Sequence, residues 1–198
     1  MNNLNESLAL RRLAAFMADW YLSSFFAMLP VIVCQSIRGG NLVLVNRIDT
    51  LPFALEALCA ALAVAIWTCY FCIIPLRRHG GFAVGQTPGR RLFRIALAAD
   101  GEKLSFRTLF VRDFVGILLL QGNTTSVNVY LLSLAETLIG NADFLPYVQS
   151  FYYIVLAVST VLLLTKGHRN LQERLSGTHM QLAECDPCDA LRPDCGAE

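Results

Sequence analysis

An apolar run from Leu8 to Ile37 that admits an arginine at its entrance and an acid inside it limits this chain more than any other stretch. As helix the run covers about 45 Å, more than the roughly 30 Å hydrocarbon core of a bilayer. Arg12 and Asp19 are seven positions apart, two helical turns, so they project from nearly one face with about 10 Å between them along the axis. A carboxylate near the bilayer middle costs about 2.5 to 3.5 kcal/mol on insertion scales, so Asp19 is expected to face protein or water and to have a partner. Arg11 and Arg12 ahead of an apolar run imitate a secretory signal, but the length of the run, its internal acid and the missing small-x-small cleavage pattern argue for a retained span.

Composition extends this reading to the whole chain. With 55% hydrophobic and 16% charged residues and a mean hydropathy of +0.50, the sequence is too apolar for an ordinary soluble domain. The lipid bilayer is therefore the expected surrounding, with a second copy or a membrane complex as the expected protein partner. No basic arm is present and the aromatics sit in apolar runs, which speaks against nucleic acid. One membrane domain over residues 1–183 and a polar tail over 184–198 account for the length.

In chain order, residues 1–10 read as a leader lying on the membrane surface. Leu13 to Ile37 is the first span, with Trp20 and Tyr21 suited to an interface and Pro30 suited to a kink, and Arg38, Gly39, Gly40 and Asn41 end it. Leu51 to Leu76 is the cleanest span, interrupted by Glu56 near its start and closed by Arg77, Arg78, His79, Gly80 and Gly81. Residues 77–113 then hold Arg77, Arg78, Arg90, Arg91, Arg94, Lys103, Arg107 and Arg112, whereas 38–50 holds only Arg38 and Arg47, and 121–149 holds no Lys or Arg. The positive-inside rule places 77–113 and both termini in the cytoplasm. Within that section Arg94 to Ala98, Asp100-Gly101 and Lys103 to Phe106 predict a short hairpin around an Asp-Gly turn, held against anionic headgroups by its basic residues.

From Phe114 to Gly140 the chain is apolar again but is broken at Gly122-Asn123-Thr124-Thr125-Ser126. Two readings stay open: two half-helices around an unwound polar middle, or one span ending near Gln121 followed by an interfacial helix with Glu136 on its wet face. Tyr147 to Thr165 is the last span, closed by Lys166, Gly167, His168 and Arg169. The expected fold is thus an all-α membrane protein of about four transmembrane helices, with a short cytoplasmic hairpin between the second and third.

Site chemistry is sparse. Cys34, Cys59, Cys69 and Cys72 lie in spans, where they read as small apolar filler. Cys185, Cys188 and Cys195 sit in the polar tail with a C-x-x-C pair and only His179 nearby as a fourth ligand, which makes them weak metal candidates. A disordered tail with reduced thiols is the expectation, and no metal or other cofactor is called for. His79, His168 and His179 fall at loop ends, and no His-Glu-x-x-His or Gly-x-Ser-x-Gly appears, so an enzyme is not expected.

The pieces then fit a pattern. Arg12 with Asp19, the stretch Gly85-Gln86-Thr87-Pro88-Gly89-Arg90-Arg91-Leu92 leading to Asp100-Gly101 and Arg112, and the closing Asn170 to Thr178 segment together resemble the RDD family of small bacterial membrane proteins, named for an arginine and two aspartates. By that resemblance Arg12 matches the family arginine and Asp19 the first aspartate. The family's closing His-Asp-Arg-Leu-x-Gly-Thr puts its second aspartate on Glu173, followed by Arg174, and its histidine on Gln172; Arg90 stands where the family has lysine. The resemblance implies a multi-pass protein of the bacterial cytoplasmic membrane. The Gly85 to Arg91 element departs from a phosphate loop, having three residues between its glycines and no Lys-Ser/Thr end.

Two uses of the constellation follow as expectations. In one, Arg12, Asp19, Glu173 and Arg174 form a buried charge network that staples the first span to the C-terminal segment, with the Gly85 to Leu92 turn closing beneath, and the protein is a structural or accessory module. In the other, Asp19 is an ion or proton site of a monovalent cation/proton antiporter, an activity that the resemblance permits.

Overall fold

The computed structural model describes residues 2–39, 48–77, 84–101, 103–119, 125–140, 143–164 and 171–183. Most of the expected loop after the first span, residues 78–83, residues 120–124 with the first three of the polar break at 122–126, the basic closure at 165–170 and the cysteine tail lie outside the described residues.

Helix α1 (Asn2–Gly39) contains Pro30. Helix α2 (Phe53–Thr68) continues through a π-helical turn (Cys69–Ile73) and a 3-10 turn (Ile74–Leu76). A short α3 (Pro88–Leu92) leads into strand β1 (Ile95–Ala99). Helix α4 (Phe106–Leu109) winds directly into a π-helical stretch (Phe110–Leu119), and α5 (Ser126–Ile139), α6 (Leu145–Leu164), α7 (Leu171–Ser176) and β2 (Thr178–Leu182) complete the order.

Local sequence explains most boundaries. Thr87 caps α3 by accepting from the Arg90 amide, with Pro88 in the first turn where its missing N–H costs nothing. Thr125 caps α5 in the same way through the Asn128 amide, and Gly140 ends it in a left-handed conformation, φ +70, with its N–H returned to Glu136 O.

Among the described residues, three helical stretches are long and apolar enough to cross a membrane: Leu10–Gly39, Phe53–Leu76 and Leu145–Leu162. Ser126–Ile139 is apolar but spans only about 21 Å as helix, so the expected fourth crossing is carried by no single described helix of sufficient length. Large side chains such as Phe16, Phe25, Leu58, Leu62, Tyr153, Ile154 and Val161 stand exposed on the three long helices, as lipid-facing residues do.

The expected hairpin is replaced by a different pairing. Strand β1 forms, but its antiparallel partner is β2, from Ile95 opposite Leu182 to Ala99 opposite Thr178. Asp100 N donates to Gly177 O at 2.8 Å and Ala183 N to Arg94 O at 3.0 Å, so both ends of the ladder are closed. The chain after Gly101 does not turn back because Ser105 accepts from the Thr108 amide and starts a helix at Phe106, taking the residues that the hairpin would have used. The described residues are therefore mostly helical with one two-stranded sheet, not wholly α.

Two apolar clusters hold these parts. In the first, Ala27 and Val31 of α1 meet Cys59, Ala60, Ala63, Trp67, Tyr70 and Phe71 of the α2 span, with Val127 and Tyr130 of α5. The small residues at the α1–α2 contact let two backbones approach closely, which is how helices associate in lipid. In the second, Cys72, Leu97 and Leu109, lined by Leu76, Leu104, Phe110 and Met180, seat the sheet against the turns that continue α2 and against the end of α4.

Candidate functional site

Between these clusters lies the acid of the first span. Asp19 is 3% exposed and accepts three hydrogen bonds: from Tyr70 Oη to Oδ1 at 2.7 Å, from the Gly89 amide to Oδ1 at 2.8 Å, and from Thr87 Oγ1 to Oδ2. Two of the three donors belong to the Gly85 to Leu92 element. A Cβ at Gly89 would stand 2.6 Å from Asp19 Oδ1 and 2.7 Å from Ala15 O, so only glycine lets this amide reach the carboxylate. Gly85, at φ +88, threads between α2 and β1: its N–H donates to Pro75 O, its carbonyl accepts from Leu97 N, and a Cβ there would stand 2.1 Å from Leu97 O. The Gly-x-Thr-x-Gly spacing is thus met by a turn whose Gly89 amide and Thr87 hydroxyl are spent on the chain's own acid.

A cationic layer adjoins this node. Arg90 is 3% exposed and its Nη1 donates to Gly85 O at 3.4 Å, while its Nη2 lies 4.0 Å from Asp113 Oδ1. Arg112 Nη1 donates to the same Asp113 oxygen at 2.7 Å, and Asp113 is fully buried. Burial first, then the neighbouring Arg112, push the Arg90 guanidinium below its ordinary value, while Asp113, Asp19 and Tyr70 pull it back up. Arg90 and Asp19 attract each other from either side of the neutral donors that touch the carboxylate.

The other predicted residues sit around this core. Arg12 Nη2 donates to Met180 O at 2.8 Å and so ties α1 to β2. Glu173 is 2% exposed in α7, which packs along the π-helical stretch from Phe110 to Leu119, and Arg174 is exposed. At the position where the family histidine would fall, Gln172 lies over Gly116, whose Cβ would stand 2.6 Å from Gln172 Cγ. Arg12 thus joins the first span to the β2 backbone, and the Asp19 carboxylate accepts from Tyr70, Thr87 and Gly89. His179, considered above as a ligand, has its Nδ1 2.7 Å from Asp100 Oδ1 across the sheet. Among the described residues no group of three His, Cys, Asp or Glu is placed to hold a metal.

Three participants escaped the sequence reading. Tyr70 was one aromatic among many in a span, and Asp113 was hidden beside Arg112 at the edge of an apolar run. Glu56 is the third: it is 1% exposed and receives Ser133 Oγ at 3.1 Å and Thr137 Oγ1 at 3.2 Å from α5. The spacing Ser133 to Thr137, one helical turn, was the available signal.

Compared with known proteins, the chain matches the model of the RDD family over residues 7–177. Comparison with curated proteins and with solved structures finds no match.

Proposed function

This chain belongs to the RDD family, and from that premise we propose that it is a structural or accessory module of the bacterial cytoplasmic membrane, in which Asp19 latches the glycine turn and β1–β2 assembly onto the first span. Family membership and the apolar helices fit an integral membrane protein. The observation that carries the finer reading is that both oxygens of Asp19 are taken by donors of the same chain, Tyr70, Thr87 and Gly89. An acid committed in this way orders a turn. In this reading both termini and the sheet face the cytoplasm, which the crowding of Arg and Lys into residues 77–113 supports. The ordered face is offered to a second copy or to a membrane-complex partner.

The test joins stability to flux. Asp19→Asn should lower the unfolding midpoint of detergent-purified protein by several degrees, and vesicles of wild type and variant should hold an imposed proton gradient equally well on addition of sodium or potassium. Proton release by wild type alone, lost in a variant that remains folded, would replace the structural reading with antiport. A mild-detergent pull-down then separates a stoichiometric partner from a homo-oligomer.

A further inference from the structure

Cys34 of α1 and Cys59 of α2 are 25 residues apart in sequence and meet with their Sγ atoms at 3.5 Å. Both thiols are free. They lie near the same end of the helix pair, five residues before Gly39 and six after Phe53, or about 8 to 9 Å of helix from either terminus. Gln35 Nε2 donates to Thr50 Oγ1 at 3.1 Å and draws that end together. The neighbouring contact residues Val31, Ala60 and Ala63 are small, so the two backbones run close where the sulfurs face each other. Of the other described cysteines, Cys69 is exposed and Cys72 is buried in the second cluster with Leu97 and Leu109.

We propose that Cys34 and Cys59 are a dithiol that closes to an intramolecular disulfide across α1 and α2, with a lipid-soluble quinone as acceptor. A disulfide bond is about 2.05 Å long, so the two sulfurs, at 3.5 Å, need to approach by about 1.5 Å. In the reaction two S–H bonds break and one S–S bond forms; the two electrons and two protons pass to the quinone, which leaves as the hydroquinone. The acceptor is taken from this class because both cysteines lie within apolar helices long enough to span a membrane; Cys59 is fully buried, so half-buried Cys34 is the thiol that an oxidant meets first. The bond would lock the α1–α2 hairpin at the end remote from Asp19, since Cys59 lies 11 residues, about 16 Å of helix, from Tyr70.

The full chain in detergent is incubated with a short-chain benzoquinone, its remaining thiols are blocked with N-ethylmaleimide under denaturing conditions, and it is cut with trypsin. Cleavage after Arg12, Arg38, Arg47 and Arg77 places Cys34 and Cys59 on separate peptides, 13–38 and 48–77. Wild type should yield these two as one disulfide-linked species in most molecules, released by dithiothreitol and absent from both Cys34→Ser and Cys59→Ser. Recovery of both peptides alkylated at every cysteine would overturn the proposal, as would a link that survives in Cys59→Ser or one that joins two copies of peptide 13–38. If either serine variant fails to fold, fragment ions of the wild-type species locate the bond and decide the matter alone.

Discussion

Asp19 and Glu56 are both carboxylates buried to within a few per cent between helices, and they are satisfied by opposite means. Asp19 is held by a backbone amide and two hydroxyls, with the amide and one hydroxyl coming from a turn outside the long helices. Glu56 is held by Ser133 and Thr137, side chains one turn apart on α5. A turn can aim backbone N–H groups at an acid because its own ladder does not use them, whereas the interior of a helix has only side chains to offer. The first arrangement binds a turn, and through it the sheet, to the span. The second binds one helix to another.

The donors also differ in what they do once the acid is gone. Thr137 Oγ1 already lies 3.1 Å from Ser133 O, so its hydrogen has a second acceptor on its own helix. The Gly89 amide can turn to the Tyr70 oxygen, but that pairing leaves the Tyr70 hydrogen itself without the carboxylate that took it. Removing Asp19 should therefore cost far more than removing the charge of Glu56. Asp19→Ala leaves three buried donors facing a cavity beside the Arg90–Arg112–Asp113 layer, and a loss of about 3 to 5 kcal/mol is expected in equilibrium unfolding from detergent. Gly89→Ala should approach that value by a different route, its Cβ displacing the carboxylate and the α1 backbone from the turn. If either variant unfolds within about 1 kcal/mol of wild type, the latch is not where the stability resides.

This contrast also explains what could be read in advance. The Arg12–Asp19 spacing and the Gly-x-Thr-x-Gly element stand out because a buried charge in a span and a glycine needing φ +88 at Gly85 are both rare demands on a sequence. The long helices were equally legible from their apolar length. What joined them was not: the donors to Asp19 are a threonine and a glycine amide about 70 residues away and a tyrosine 51 residues away, and no local pattern encodes such pairs. The β1–β2 pairing is illegible for the same reason, its strands lying about 80 residues apart. An Asp-Gly turn signals a hairpin only when both flanks are free to be strands, and Ser105 had a stronger use for the following residues as a helix cap. Glu56 was passed over as an acid near the end of a span, since nothing near it in sequence announces Ser133 and Thr137.

A smaller effect sharpens the picture within the node. Tyr70→Phe deletes one of three donors and leaves the ring, its edge contact with Phe71 at 4.9 Å and the other two hydrogen bonds in place. A loss of about 1 to 2 kcal/mol is expected. Combined with Thr87→Val, the double variant should depart from the sum of the single losses, because both hydroxyls serve one carboxylate. Strict additivity would mean that the two act on separate groups.

Glu56→Gln should lie below Tyr70→Phe. The amide keeps one carbonyl oxygen to accept from Ser133 Oγ and places its NH2 toward Thr137 Oγ1, which can accept while giving its own hydrogen to Ser133 O. With every group still partnered, a cost near 1 kcal/mol or less is expected from the same unfolding measurement. Thr137→Val should be smaller again, since it removes a hydroxyl that was shared between two acceptors and leaves Ser133 on the acid. The informative outcome is the ranking: if Glu56→Gln equals or exceeds Asp19→Asn, then the hydroxyl-held acid is the true fastening of the helix pair, and the turn around Gly89 is held in place by the arginine layer beneath it.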